Sequence, residues 1–194
     1  MYADAPVWSL DADGHDMTNE HPAPTHPVIW PIVLAMCAVS GTLATACMMP
    51  FVAVATIAAA TMTRGQATVA VIGAWAANQL LGFGLLGYPL TGYAIGWGVA
   101  LGVASLAVVP VVRRIADGSA MRLMLGFAAA FALWEGLLFG FALAMGGTGT
   151  FTPAIIATLL ANEAAWLAAL AAVHLIAAHG APRLFGHARL VRLA

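Results

Sequence analysis

The side chains best suited to chemistry in this 194-residue chain lie inside long apolar runs. Asn78 and Gln79 are adjacent in "WAANQLLGFG". Glu135 follows Trp134 in "LWEG". Asn162 and Glu163 precede Trp166 in "ANEAAW". An ionisable residue at mid-bilayer costs at least ~2.5 kcal/mol on insertion scales, so it normally faces a bundle interior and has a partner. On helices, Trp75 shares a face with Asn78 and Gln79, and Trp166 shares one with Asn162 and Glu163, through i,i+3 and i,i+4 spacing. Trp134 and Glu135 diverge by ~100° around their helix. Indole faces and carboxylates together suit a cationic or aromatic small molecule, through cation–π and charge-assisted contacts. The candidate substrate-binding set is therefore Trp75, Asn78, Gln79, Trp134, Glu135, Asn162, Glu163 and Trp166. The same set also reads as polar glue between helices, or as a proton or ion relay.

A second cluster, His15, Asp16, Met17, His21 and His26, lies near the N-terminus. Imidazoles and carboxylates bind Ni, Co, Cu or Zn, so His15, His21 and His26 are candidate metal ligands, with Cys47, Met48 and Met49 as soft ligands further on. His174 and His179 are five apart and do not share a helix face well. No nucleophile–base pair and no H-E-x-x-H occurs, so no catalytic residue is assigned, an enzyme is not expected and no cofactor is called for. "GFGLLG" at 82–87 has the G-x-G-x-x-G spacing, but a dinucleotide site needs a strand before it and an acid about 20 residues later. Residues 100–112 contain no acid. These glycines are expected to allow close helix approach or a bent helix end.

The elements that must position these groups follow from composition. The chain is 62% hydrophobic and 8% charged, with mean hydropathy +0.93, whereas a soluble domain is about a quarter charged. An all-α integral membrane protein is expected, because the runs are continuous rather than alternating as in a membrane β-barrel. Net charge is −1, which gives no electrostatic basis for nucleic-acid binding. The absence of lysine excludes a retinal protein, which needs a Schiff-base lysine. Cys37 and Cys47 on one helix would be too far apart for a disulfide. The polar, acidic start lacks the basic region of a signal peptide, so the first membrane helix is expected to target the chain.

Residues 1–27 read as a polar tail, 28–179 as a transmembrane bundle and 180–194 as a basic tail. The apolar runs are 28–62, 67–86, 91–112, 120–145 and 153–178. At roughly 20 residues per span, the first is too long for one helix. Pro50 disfavours helix at Met49, which divides it into about 28–46 and 50–63 and gives a compact bundle of six spans. A single kinked helix there would give five. All seven arginines fall in or beside the 63–66 and 113–119 breaks or in the C-terminal tail. The positive-inside rule makes those segments and the C-terminus cytoplasmic and turns 87–91 and 146–153 outward. At 1.5 Å per residue, Gln79, Glu135 and Glu163 then lie ~12, ~16 and ~15 Å below the outer ends of their helices. Gly73/Ala77, Gly92/Gly96, Gly98/Gly102 and Gly136/Gly140 form small-xxx-small pairs, which let membrane helices pack closely within one chain, in a homo-oligomer or against a docking partner.

The run "PFVAVATIAAATMTRGQATVAVIGAW", the short Arg64-Gly65 loop and the "GYP" turn at 87–89 resemble, in layout over about 30–178, the substrate-binding (S) subunits of energy-coupling-factor vitamin transporters. The resemblance implies a six-helix inner-membrane protein. It would bind a vitamin or precursor in its outer half and take it up with ATP-driven coupling subunits. It also implies a small-residue contact motif around Ala35, Ala38, Ala44 and Ala46. The chain has no P-loop of its own, so energy would come from a partner. Two alternatives stay open: a cobalt or nickel uptake subunit using the histidine-containing tail, and a structural or assembly subunit of a membrane complex.

Overall fold

The computed structural model describes residues 29–44, 49–116 and 118–181. They form six α-helices: α1 (Ile29–Ala44), α2 (Phe51–Thr61), α3 (Arg64–Gln79), α4 (Gly92–Ile115), α5 (Ala120–Met145) and α6 (Pro153–Gly180). No strand occurs among the described residues. The polar tail, His15, His21, His26, Cys47, Met48 and residues 182–194 lie outside them.

Four helical segments are long and apolar enough to cross a membrane: Arg64–Leu85, Gly92–Ile115, Ala120–Met145 and Pro153–Gly180. The long first run does divide into two helices, with α2 starting directly after Pro50. The expectation that every helix spans needs correction at α2. It has 11 residues and so measures ~16 Å, about half of a ~30 Å hydrocarbon core.

The short helix is the centre of the fold. α2 touches all five other helices, and every residue from Phe51 to Ala59 is buried. A helix that is apolar on all sides needs apolar surroundings on all sides, protein or lipid, and here the other helices supply them. The chain around it runs up and down, so that the arginines at the start of α3 (Arg64), the end of α4 (Arg113, Arg114) and the start of α5 (Arg122) share one end of the bundle. Trp30, at the start of α1, reaches the same level. Its Nε1 donates to Thr61 Oγ1 at 3.0 Å, and its ring lies 4.9 Å from that of His174 on α6.

Most helices carry their own start signal. The side chains of Thr63, Thr91, Ser119 and Thr152 accept from the backbone N–H groups of Gln66, Ala94, Arg122 and Ile155 respectively, as N-cap hydroxyls do. Thr63 and Gln66 complete a capping box. At the opposite end of α3, a π-helical turn, Leu80–Leu85, leads to Gly87 at φ +67°. This left-handed residue lets the Tyr88 N–H fold back onto the Gly82 carbonyl at 3.0 Å. A Cβ on Gly82 would meet the Tyr88 ring at 2.9 Å. The "GFGLLG" glycines thus serve the bent helix end.

Candidate functional site

The N-cap position of α2 is held by Pro50, and no side chain near it in sequence caps the helix. The first backbone N–H groups of a helix have no intrahelical partner, and here they are buried. Glu163, on α6, supplies the acceptors. Its Oε2 accepts from the Ala53 N–H at 2.7 Å and its Oε1 from the Val52 N–H at 3.3 Å. A carboxylate at a helix N-terminus also meets the positive end of the macrodipole. The opposite end of α2 is closed in the complementary way. Arg113 Nη1 donates to the carbonyls of Ala59 at 3.0 Å and Met62 at 2.8 Å. One half-length helix is thus held by a carboxyl group from α6 at its start and a guanidinium from α4 at its finish.

Trp75 and Gln79 find a different place. Both lie over the glycine pair of α4. A Cβ on Gly102 would meet Trp75 Nε1 at 2.8 Å, and one on Gly98 would meet Gln79 Oε1 at 2.5 Å. Trp75 Nε1 donates to the Gly98 carbonyl at 2.7 Å. Gln79 Nε2 is buried without a hydrogen-bond partner. Asn78 is half-buried. The Gly98/Gly102 pair is therefore used within the chain, as a seat for two large side chains one turn apart. Gly73, Gly92, Gly136 and Gly140 face open space.

Trp134 donates to Ser105 Oγ at 3.2 Å, and that hydroxyl donates to the Leu101 carbonyl at 2.7 Å. Glu135, beside it, is 8% exposed, and neither carboxyl oxygen has a partner. Glu135 and Glu163 are each ten residues from the arginine-free ends of their helices, so both lie ~15 Å in. Both helices pack on α2. The hydroxyl of Thr56, one turn into α2 from Val52, is also buried and unpartnered.

The candidate binding set thus separates. Trp75 and Gln79 join α3 to α4. Trp134 joins α5 to α4. Glu163 joins α6 to the start of α2, and Glu135 is buried on α5 at the same depth. Asn162 and Trp166 are half-buried on α6, with Trp166 against the core. An open apolar groove on α6 is lined by Ala154, Ile155, Thr158 and Leu159, and none of the eight belongs to it. Among the described residues no group of three His, Cys, Asp or Glu side chains could hold a metal ion. His174 is buried and His179 exposed, as expected for histidines on different faces.

Sequence reasoning missed Ser105 and the second role of Arg113. A serine three residues after Gly102 on α4 is a visible signal for the first. The second has none, because the carbonyls Arg113 meets lie more than 50 residues away. Compared with protein-family models, curated proteins and solved structures, the chain matches none of them.

Proposed function

We propose that this chain is a multi-pass inner-membrane protein that binds a small solute from the arginine-free side and helps to move it inward. A vitamin or vitamin precursor with a cationic or aromatic group is the leading substrate class. The observation that carries the reading is Glu135, enclosed by protein with both carboxyl oxygens unpartnered. Buried polar groups are normally hydrogen-bonded, and an exception calls for a ligand, a water or a functional role. A cationic solute group would supply what the protein does not. The half-length α2 supports the same reading, since transporters build midplane sites around broken helices whose ends face the cargo. The arginine distribution supports a cytoplasmic C-terminus. The layout shared with coupling-factor S subunits suggests ATP-driven coupling subunits as partners, with a homo-oligomer as the alternative assembly.

The glue reading is favoured at three of the eight positions, because Trp75, Trp134 and Glu163 each hydrogen-bond across helices. A structural or assembly subunit would need no more than these. The metal-uptake alternative rests on His15, His21 and His26, outside the described residues. A thermal-shift screen of purified protein with vitamins, their precursors and divalent metals separates the readings. The uptake reading expects a ligand whose stabilisation is lost in Glu135→Gln while the variant stays folded. A hit confined to cobalt or nickel, abolished by deleting residues 1–27, would replace it with the metal reading.

A further inference from the structure

Glu135 and Glu163 lie at the same depth on two helices that both pack on α2, yet their surroundings differ in one respect. Glu163 accepts from two backbone N–H groups at a helix end carrying roughly half a positive charge. Glu135 accepts from nothing. The Glu135 carboxyl group, when ionised, therefore lacks a compensating positive charge. An uncompensated ion in a protein interior is strongly unfavourable. Among the described residues no other charged side chain is placed to supply it. α2 contributes no titratable side chain, and α3 none after Arg64. On α4, Tyr93, Arg113 and Arg114 lie towards the two ends, with Arg113 engaged at the finish of α2. Arg122 opens α5, and α1 offers Cys37. On α6, His174 is about three turns nearer the arginine end than Glu163.

We infer that Glu135, buried on α5 at the depth at which Glu163 caps α2, is the binding site for one monovalent cation, a proton or a sodium ion. Glu163 remains the cap of α2, and Glu135 is the ligand that gains and loses the cation. Among the described residues the oxygens gathered here are too few for calcium, which takes six to eight, and no metal-holding acid or histidine cluster is present. The Thr56 hydroxyl is a further buried oxygen on the same helix. The inference deepens the uptake reading, and rests on it for the statement that cation and solute use one carboxyl group.

A hydrophobic carbodiimide tests it on the wild-type, full-length protein in lipid nanodiscs. The reagent adds a carboxyl oxygen to its central carbon and takes the carboxyl proton onto nitrogen, so it marks carboxyl groups that hold a proton. The expected result in sodium-free buffer is an adduct on Glu135, mapped by peptide mass spectrometry and absent from Glu135→Gln. An adduct unaffected by sodium at constant pH assigns the site to the proton. An adduct suppressed by sodium assigns it to both ions in competition. No adduct on Glu135 at any pH at which the protein stays folded, or an adduct on Glu163 alone, overturns the inference. The two readings fail separately. Solute binding retained in Glu135→Gln removes Glu135 from the solute site and leaves the wild-type adduct, whereas a missing adduct leaves solute binding intact.

Discussion

Glu135 and Glu163 are one residue type at one depth, and their different contacts predict opposite responses to substitution. Glu163→Ala removes the two acceptors at the start of α2 and strands the Val52 and Ala53 N–H groups. Hydrogen bonds to a charged group contribute about 1.5–3 kcal/mol each. The expected outcome is a clear fall in thermal midpoint, with faster amide exchange at the start of α2. Glu135→Gln removes a carboxyl group that has no protein partner. Its thermal midpoint is expected to stay level or rise, because an amide costs less to bury than a charge. An unfolded Glu135→Gln protein would show instead that Glu135 is structural. The sequence was informative about both residues up to a point. Two acids in long apolar runs had to be interior, and their depth followed from counting. The donors of Glu163 lie about 110 positions earlier, and no local spacing rule reaches that far.

At the scale of elements, the α3–α4 contact depends on the absence of two side chains. Gly102→Val would place its Cβ within 3.0 Å of the Trp75 ring. Overpacking of this kind costs typically 1–3 kcal/mol, and a blue or red shift of tryptophan emission should accompany the lost stability. Gly136→Ala and Gly140→Ala meet nothing within 4 Å, and both are expected to leave the midpoint of the isolated chain unchanged. A loss of stability in these two and none in Gly102→Val would show that the pairs had been assigned to the wrong neighbours. Arg113→Ala removes the guanidinium from the finish of α2 and is expected to cost about 1 kcal/mol, with Lys restoring part of it. The small-residue pairs could be read in the sequence by their four-residue spacing. Which pair was occupied could not, since all four have the same pattern. The break at Pro50 could also be read, because proline restricts the residue before it. That the following helix would be enclosed followed only once its neighbours were known.

For the molecule as a whole, the arginines sort the connections into two sets, and accessibility can check that sorting. In a chain with Cys37 and Cys47 replaced, Ala120→Cys should react with a membrane-impermeant maleimide only from the cytoplasmic side. Thr148→Cys should react only from outside. The reverse pattern would reject the orientation drawn from the positive-inside rule and with it the direction of uptake. The short α2 also bears on how the chain is made. Its start is closed by a carboxyl group on α6, the last of the described helices in chain order, and its finish by an arginine on α4. At ~16 Å it is too short to be held by lipid alone. A nascent chain halted before residue 153 therefore has the middle of its structure in place by sequence and not yet by bonding. Among the described helices, the second in chain order is the last to be secured. In pulse-chase proteolysis, protection near Pro50 should arrive only after α6 has emerged from the ribosome.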